Sequence, residues 1–551
     1  MVLAHSAQRR SLARDLAHVL SQRERITLIA PADDGHERFG IMAEMVIPTL
    51  QALLRDLPSP QVRGPVGGPV SDIAYHSQFV RPGALFVAIR GARHDGHTFV
   101  PEALRQGATA VVVEHPVEVP RDVAQIVVAD TRVALAALSS AFFGHPSRDV
   151  KLIGITGTKG KGTTAYLLDA AVSRGGQRTG VIGTLGVKLG AQVTPLERTT
   201  PEAPDLQRTL RQMADAGVRV VVMEVASHAL VLHRVAGCRF HGAVFTNLTQ
   251  DHLDFHKTLD AYRVAKRMLF EMVAPDGLSI VNIDDPSARV MADASRAPVI
   301  TYGLSAHADV RASDVQLRLD GADFTAVTPQ GTTVVHLRLP GRFNVSNALA
   351  AIAAAQHEGV ALDVIAQALG EFTGVPGRFE AVREGQPFGV IVDYAHTPDS
   401  LENVLRVARD FTRGRLLVVF GCGGDRDRTK RPVMGRIAAQ LADIAVVTSD
   451  NPRSEEPTAI IEEIVRGTGD AAAGGSGARP GSRARIEVEP DRRLAITRTL
   501  ESARPGDVVV IAGKGHEPYQ EIKGVKYAFD DRVVAREVLQ SLHGGRPVRN
   551  R

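Results

Sequence analysis

The stretch KLIGITGTKGKGTT, residues 151–164, decides how the rest of the chain is interpreted. A short apolar run leads into a glycine-rich turn around Lys161, and the helical pattern AYLLDAAVSR follows. Backbone N–H groups in such a turn and at the start of a helix bind phosphate, and the lysine adds a full positive charge. The strict pattern G-x-x-x-x-G-K-[ST] is not met, because Ile155 stands at the first glycine position and Gly162 follows the lysine. By itself the loop therefore predicts either a phosphate site or an ordinary glycine-rich turn.

Composition predicts a multidomain globular protein. The 551 residues exceed what one hydrophobic core can organise. The 65 basic and 61 acidic side chains nearly cancel, and aromatic residues make up only 5%, which is unlike a nucleic-acid-binding protein. No apolar run is long enough for a membrane span, and the N-terminus lacks the apolar core of a signal peptide. The two cysteines, Cys238 and Cys422, imply no disulfide framework, so we expect a cytoplasmic protein.

The amino-terminal part predicts an extension followed by a small domain. Residues 1–45 are Arg-rich without lasting periodicity, so we expect a poorly ordered extension, with Met42 or Met45 as alternative starts of the protein. Residues 46–147 follow as a small α/β domain. It begins with the helical pattern VIPTLQALLRDL and contains strands Leu85–Ile89 and Ala110–Val113 around a helix Val100–Gln106.

Residues 148–375 predict a central α/β domain with the glycine-rich loop at its start. Val218–Val225 and Ala243–Thr246 have the composition of buried strands, and each leads into polar residues at its C-terminal end. Tyr262–Phe270 is predicted as a helix carrying Lys266, and Thr332–Leu339 as a strand. The Ala-rich stretch Asn344–His357 is predicted as a helix capped by Asn344.

Residues 376–551 predict a third domain of Rossmann-like type. Strands alternate with helical segments, which is typical of a doubly wound, mostly parallel sheet; the strands are Gly389–Asp393, Leu416–Phe420, Ile444–Val447 and Val508–Ala512. The low-complexity stretch Gly467–Ser482 is predicted as a flexible surface loop.

Several polar residues follow the predicted strands of the central domain. Glu224 and His252 are candidate ligands of a nucleotide-bound Mg²⁺, although a lone His or Glu in a loop is more often a surface residue. Lys266 lies among apolar residues, where a lysine commonly extends its amine to solvent.

Three charged turns follow strands of the third domain: Gly421–Asp427, Asp450–Arg453 and Gly513–Glu517. Each could be merely a turn, but three at one edge of a sheet favour a binding face. Their mixture of Arg, Asp and Glu suits a zwitterionic ligand resembling an amino acid. Cys422 is interpreted as a small turn residue, because no base accompanies it.

From about Ile73 to Leu542 the chain resembles the Mur ligases. The resemblance rests on several motifs in the family's order, namely PGALFVAIRG, DGHTFVPEA, ERTTPEAPDLQ, MEVASHAL, FTNLTQDHLDFH, GRFNVSNALAA, GVPGRFE, VDYAHTPDSLE, FGCGGDRDRTKRPVMG, DNPRSEEP and AGKGHEPYQ. It implies three domains, for a UDP-linked substrate, for ATP and for an incoming amino acid. The implied reaction is ATP-dependent amide formation through an acyl phosphate, joining meso-2,6-diaminopimelate to UDP-N-acetylmuramoyl-L-alanyl-D-glutamate in a monomeric enzyme with small-molecule partners.

The resemblance also implies roles for individual residues. ATP would be bound by Gly157, Thr158, Lys159, Gly160, Lys161, Gly162, Thr163, Asn347, Arg378 and Asp393. Mg²⁺ would be held by Thr163, Glu224, His252 and Lys266, the last as a carboxylated lysine, and Lys161, Lys266, His252 and Glu224 would be the catalytic residues. The UDP-linked substrate would contact Ser77, Thr199, Thr200 and Arg234, and the amino acid would contact Arg426, Asp450, Asn451, Pro452, Arg453, Gly513 and Glu517. Arg453 in the DNPR form is the residue that would pair with the distal carboxylate of diaminopimelate.

Some positions depart from the family pattern. The usual GTNGKTT is GTKGKGTT here, so Lys159 replaces an asparagine and Gly162 removes a hydroxyl that would lie beside Mg²⁺, which makes Thr163 the expected metal ligand. The usual DSR is His76-Ser77-Gln78, and the usual SSH is Ala226-Ser227-His228. The loop is similar to that of folylpolyglutamate synthetases, which leaves a ligase with another acceptor as one alternative. A catalytically inactive binding protein is a second alternative.

Overall fold

The computed structural model describes residues 47–91, 94–318, 321–469 and 484–544. The predicted extension, its alternative starts and most of the predicted Gly467–Ser482 loop lie outside these residues. The described residues form two compact units. The first unit contains residues 47–153 with Gln177–Ile182 and Gly186–His241, and the second contains Gly154–Gly176, Gly183–Leu185 and the residues from Gly242 onward.

The amino-terminal part of the first unit is built on a five-stranded sheet with the order β1-β5-β4-β3-β2. Apolar side chains alternate between its two faces: Leu85 and Val87 belong to one buried cluster, and Phe86 and Val111 to another. The predicted strand Ala110–Val113 is confirmed, and the predicted helix at residue 100 ends at Arg105. The elements are β1 (Gln61–Arg63), β2 (Ile73–Ala74), β3 (Leu85–Val87), β4 (Ala110–Val113) and β5 (Ala124–Val127), with α1 (Leu50–Leu53), α2 (Val100–Arg105) and α3 (Thr131–Phe142).

The next stretch of chain contains the glycine-rich loop and the strands around it. In the first unit β7 pairs parallel with β10, and β8 pairs antiparallel with β9. The predicted strand and helix on either side of the loop are confirmed as β6 and α4. The elements are β6 (Lys151–Thr156), α4 (Lys161–Arg174), β7 (Thr179–Gly183), β8 (Gly186–Leu189), β9 (Gln192–Thr194), α5 (Ala203–Asp215), β10 (Val220–Glu224), α6 (Ser227–Val231) and β11 (Phe240–Phe245).

The second unit continues with strands that change from parallel to antiparallel pairing. Strands β12, β13 and β14 pair in parallel, and β15 and β16 follow as antiparallel neighbours. The elements are α7 (Leu253–His256), α8 (Leu259–Glu271), β12 (Val273–Asn282), α9 (Ala288–Ala292), β13 (Val299–Gly303), β14 (Val310–Arg318), β15 (Gly321–Thr328), β16 (Gly331–Leu337), α10 (Arg342–His357) and α11 (Leu362–Glu371).

The predicted cap of the Ala-rich helix is wrong. Helix α10 starts at Arg342 after Gly341, so Asn344 lies within the first turn. There its side-chain amide donates a hydrogen bond to the carbonyl oxygen of Pro340 at 2.9 Å. A capping side chain would instead accept a bond from a backbone N–H group.

A six-stranded sheet with the order β17-β18-β22-β19-β20-β21 confirms the Rossmann-like prediction. All its neighbours are parallel except β17 with β18, and an apolar cluster covers each face. Among the described helices, none is both long and apolar enough to cross a bilayer. The elements are β17 (Glu380–Ala381), β18 (Gly389–Asp393), α12 (Pro398–Phe411), β19 (Leu416–Phe420), α13 (Lys430–Leu441), β20 (Ile444–Val447), α14 (Pro457–Thr468), β21 (Arg485–Val488), α15 (Arg492–Ser502), β22 (Val508–Ala512), β23 (Tyr519–Ile522), β24 (Val525–Ala528) and α16 (Asp531–Gly544).

Candidate active site

The glycine-rich loop is fixed by the residues that follow β11. Thr158 donates its N–H to the carbonyl oxygen of Asn247 at 2.9 Å, and Lys159 donates its N–H to the side-chain oxygen of Asn247 at 2.9 Å. The carbonyl oxygen of Lys159 accepts from the hydroxyl of Thr246 at 2.6 Å and from the side-chain amide of Asn247 at 3.1 Å. Gly160 has a φ of 84°, and a Cβ there would lie 2.4 Å from Oδ1 of Asn347. The turn is therefore held in one conformation that requires a glycine at residue 160.

Lys161 opens helix α4 and turns back over the loop. Its Nζ donates to the carbonyl oxygens of Gly157 at 2.9 Å and of Thr158 at 3.0 Å. The N–H groups of the first helical turn have no partner within the helix, and they carry the positive end of the helix dipole. The loop thus combines a lysine amine with a helix N-terminus, as a phosphate site requires.

Two threonines follow Gly162, and the structure distinguishes them. Thr164 is fully buried and donates its hydroxyl to Oδ1 of Asn347 at 3.3 Å. Thr163 is only half-buried. Asn347, which the sequence analysis predicted as a nucleotide contact, therefore supports the first turn of α4 through its hydrogen bond with Thr164.

Lys266 lies in helix α8 and is 1% exposed. Its Nζ lies 4.2 Å from the ring centroid of Tyr262, whose hydroxyl lies 3.3 Å from Oγ1 of Thr158. Burial, together with the positive charge of Lys161, holds the pKa of Lys266 well below its ordinary value. The lysine is not extended to solvent, and both its burial and the charge of Lys161 favour the neutral, nucleophilic form of its amine.

His252 stands at the start of helix α7 in a left-handed backbone conformation. Its ring lies edge-on to Tyr262 with 6.0 Å between centroids, and Nδ1 lies 3.6 Å from Oδ1 of Asp251. Burial lowers the pKa of His252, and the charges of Lys161 and Lys266 lower it further while Asp251 raises it. A neutral imidazole is the form that binds a metal ion.

Arg378 precedes β17 and Asp393 ends β18, which are the first two strands of the six-stranded sheet in chain order. Oδ2 of Asp393 accepts the N–H of Phe379 at 2.7 Å. Burial raises the pKa of Asp393, while Arg378 and nearby backbone N–H groups oppose that rise. The guanidinium of Arg378 lies 5.0 Å from the ring centroid of Tyr394.

The three charged turns come together at one edge of the six-stranded sheet. They follow β19, β20 and β22, which are parallel neighbours, so their carboxyl ends share that edge. Asn451 donates its side-chain amide to Glu517 at 2.8 Å, and its side-chain oxygen accepts from Lys514 at 3.0 Å. A Cβ at Gly513 would lie 2.4 Å from Oδ2 of the buried Asp450, so the third turn needs a glycine to approach the second.

The DNPR turn holds Arg453 in a defined position. The residue has a left-handed φ of 51°, and its N–H donates to the carbonyl oxygen of Glu521 at 3.0 Å. Nη1 donates to the carbonyl oxygen of Gly424 at 2.7 Å, and Nε lies 3.3 Å from the Glu521 carboxylate. Pro452 also faces this region, because its carbonyl oxygen would lie 1.9 Å from a Cβ on Gly424. Arg426 lies exposed in the neighbouring turn and is not part of this network.

The sequence analysis did not predict that three cations of this region are buried. Lys514 is fully buried beside Asn451 and Glu517. Arg431 is fully buried and pairs with the carboxylates of Glu455 and Glu463 at 2.8 and 2.9 Å. Arg492 pairs with Asp531 at 2.7 Å and donates to the carbonyl oxygens of Ser449 and Ala512. The only signal for it in the sequence is its place at the start of a helix, directly after the capping residue Asp491.

In the first unit, Thr200, Glu224 and Arg234 lie together. Thr200 is buried, donates its hydroxyl to the carbonyl oxygen of Glu224 at 2.8 Å and accepts the N–H of Ala226 at 3.1 Å. Arg234 donates to the carbonyl oxygen of Thr200 at 3.2 Å, and its Nε lies 2.9 Å from Glu202, which the sequence analysis did not single out. Thr199 precedes them and is half-buried.

Ser77 occupies a different place in the first unit. It is buried at the start of a short 3₁₀ helix, Ser77–Phe79, and donates its hydroxyl to Glu102 at 3.0 Å. His76 caps this helix by accepting the N–H of Gln78.

Both cysteines are buried and reduced. Burial raises the pKa of Cys238 and of Cys422 to about 12. The thiol of Cys422 lies 3.6 Å from the sulfur of Met434, so it packs as an apolar residue in the turn.

The glycine-rich loop with Lys161 lies close to the buried Lys266, and the six-stranded sheet that follows carries turns of mixed charge at one edge. These features are those of a multidomain α/β protein that binds a nucleotide. The family models that match are the Mur ligase family, catalytic domain, at residues 69–143, the Mur ligase middle domain at 155–355, and the Mur ligase, glutamate ligase domain, at 377–515. The chain belongs to the Mur ligase family, as its motifs predict.

Individual relatives agree with this membership. The UDP-N-acetylmuramoyl-L-alanyl-D-glutamate–2,6-diaminopimelate ligase of Geobacillus thermodenitrificans (strain NG80-2) is 46% identical over 497 residues, which cover 89% of this chain and 99% of the relative. A solved structure of a ligase with the same name is 34% identical with a TM-score of 0.66, covering 90% of this chain and all of its own. Escherichia coli FolC, solved in complex with ADP and without folate substrate, shares the fold at 19% identity and a TM-score of 0.54, covering 75% of this chain and 93% of its own.

Proposed function

We propose that this chain is an ATP-dependent ligase that joins meso-2,6-diaminopimelate to UDP-N-acetylmuramoyl-L-alanyl-D-glutamate. The observation that carries the proposal is the DNPR turn, with Arg453 held between Gly424 and Glu521 beside the Asn451–Lys514–Glu517 network. The 46% identity of this chain to the UDP-N-acetylmuramoyl-L-alanyl-D-glutamate–2,6-diaminopimelate ligase of Geobacillus thermodenitrificans supports the same conclusion. The proposal includes domains at 46–147, 148–375 and 376–551, and a monomeric cytoplasmic enzyme.

The glycine-rich loop, residues 157–164, which we call the phosphate loop, fits ATP. Its turn is preformed, the first-turn N–H groups of α4 lack helical partners, and the amine of Lys161 lies over the loop. Lys161 would hold the β- and γ-phosphates, and Arg378 and Asp393 would contact the rest of the nucleotide. Asn347 would contribute by supporting the loop.

The proposed metal ligands fit Mg²⁺ by their donor chemistry. Glu224 offers a carboxylate and Thr163 a hydroxyl, which are the oxygen donors that Mg²⁺ prefers. His252 would add an imidazole nitrogen, and its lowered pKa favours the neutral form that binds a metal ion. The neutral amine of Lys266 is the form that reacts with carbon dioxide, and the carbamate so formed would be a further anionic oxygen donor. When bound, Mg²⁺ neutralises charge on the phosphates.

The reaction needs positioning more than a protein nucleophile. The γ-phosphoryl group of ATP passes to the γ-carboxylate of D-glutamate, which gives an acyl phosphate and ADP. The amine of diaminopimelate attacks the acyl carbon, the amide forms, and phosphate leaves. Thr199, Thr200, Arg234 and Ser77 would hold the UDP-linked substrate, while the turns containing Arg426, Asp450 and Glu517 would orient the amino acid.

Phosphate release from ATP tests the proposal. Purified protein is given UDP-N-acetylmuramoyl-L-alanyl-D-glutamate with meso-diaminopimelate, with L-lysine or with no amino acid. We expect turnover with diaminopimelate alone. Turnover with lysine instead would overturn the specificity, and no turnover in any arm would favour a ligase with another acceptor, as the similarity of the loop to folylpolyglutamate synthetases suggests, or an inactive homologue.

A further inference from the structure

Lys159 forms a contact that its place in the phosphate loop does not by itself explain. Its Nζ lies 2.6 Å from Oδ2 of Asp399 and donates to the carbonyl oxygen of the same residue at 3.2 Å. Asp399 lies 240 residues further along the chain, in the first turn of helix α12. The amine of Lys159 therefore reaches a helix of the six-stranded sheet.

Hydrogen bonds fix the backbone at both ends of this ion pair. The backbone of Lys159 is fixed on both sides of the residue by Thr246 and Asn247. At the other end, Thr397 and Ser400 form a capping box around Asp399. An ion pair between preorganised groups loses less side-chain entropy on forming than one between two mobile surface chains.

Helix α12 transmits the position of Asp399 to the sheet. Its apolar face is buried in the cluster on one side of that sheet, through Leu401, Val404 and Leu405. The same cluster contains Phe420 and Cys422, which lead into the first of the charged turns. A displacement of the first turn of α12 would therefore also move the proposed amino-acid pocket.

We propose that Lys159 is a positioning residue that, by pairing with Asp399, holds the six-stranded sheet and its amino-acid pocket beside the phosphate loop. The inference rests on the proposed function, because it needs the acyl phosphate and the incoming amine to meet. Lys161, with its amine over the loop, binds phosphate. The resemblance places Lys159 among the ATP contacts, but its amine pairs with Asp399 and so aligns the second half of the reaction.

The test uses the full chain with Lys159→Asn, Asp399→Asn and the double variant. Glu402→Gln is the matched control, since Glu402 pairs with Arg406 at 2.7 Å within the same helix. We expect each single variant to lower kcat for amide formation about fivefold at low salt, the upper range for a partly exposed pair. The double variant should be no slower than either single variant, and the KM for ATP should stay unaltered.

Amide hydrogen exchange supplies a readout that does not depend on turnover. The first turn of α12 should exchange faster in both single variants than in the wild type, and at the wild-type rate in Glu402→Gln. Unaltered exchange in the two variants, or additive losses of kcat in the double variant, would overturn the proposal. A raised KM for ATP in Lys159→Asn alone would overturn it in favour of a nucleotide contact. If the wild type does not turn over the named substrates, the proposed function fails and the exchange rates still decide the role of Lys159.

Discussion

Replacement of Arg453 by alanine isolates the group proposed to recognise the distal carboxylate of diaminopimelate. The guanidinium is held by Gly424 and Glu521, so it is aligned before a ligand arrives. Its left-handed backbone is shared by arginine and alanine, both of which carry a Cβ, so the backbone cost is nearly the same in wild type and variant. A hydrogen bond between charged groups contributes ~1.5–3 kcal/mol, so the loss should raise the KM for diaminopimelate about 10- to 150-fold.

The assay compares kcat/KM for diaminopimelate, for L-lysine and for ATP. Because lysine lacks the distal carboxylate, Arg453→Ala should reduce the preference for diaminopimelate over lysine by the same factor. Glu521→Gln removes the ion-pair partner but keeps the guanidinium, and it should retain most of the preference. An equal rise in the KM for ATP, or an unaltered preference, would refute the assigned role of Arg453.

Three further outcomes follow from the site and its supports. Lys266→Ala should nearly abolish turnover and be partly rescued by added short carboxylates, whereas Lys266→Arg should show no rescue; wild-type kinetics of Lys266→Ala would remove the carbamate from the proposal. Gly160→Ala places a Cβ 2.4 Å from Oδ1 of Asn347 in a left-handed backbone. Keeping the loop in its binding conformation then costs ~1–2 kcal/mol, so calorimetry should show ADP binding about tenfold weaker. An unaltered affinity for ADP would contradict this. Arg431 lowers the pKa of Glu455 to about 2, so this carboxylate stabilises the fold above its ordinary pKa and the stabilisation is lost as the pH falls towards 2. Glu455→Gln should therefore lower the melting temperature at pH 7, and its difference from wild type should shrink between pH 5 and pH 2; a difference independent of pH would be inconsistent with the pair.

Much of the fold could be predicted because its strands are short apolar runs between turn residues. Leu416–Phe420, Ile444–Val447 and Val508–Ala512 are strands at the predicted residues. Since they are parallel neighbours, the charged turns after them had to share one edge of the sheet. The strand, the glycine-rich turn and the helix of residues 151–174 were predictable for the same reason, because the three patterns follow one another directly.

The supports of the site could not be predicted, because their partners are distant in sequence. A lysine or arginine is usually exposed, so nothing local indicated that Lys514, Arg431 and Arg492 are fully buried. The pairing of Lys159 with Asp399 depends on how two separate elements pack. The cap of α10 was misplaced because asparagine favours a cap in general, whereas here Gly341 precedes the helix.

The buried pair of Arg492 and Asp531 determines the order in which parts of the structure can form during translation. Arg492 reaches the ends of β20 and β22, where two of the charged turns begin, and Asp531 is the first residue of the last described helix. Removing one partner of a buried ion pair costs ~3–5 kcal/mol of stability. The native packing of these turns is therefore unstable in a ribosome-bound chain that still lacks Asp531. The proposed amino-acid pocket therefore reaches its final packing only after Asp531 has been translated, whereas every residue of the phosphate loop is translated long before it.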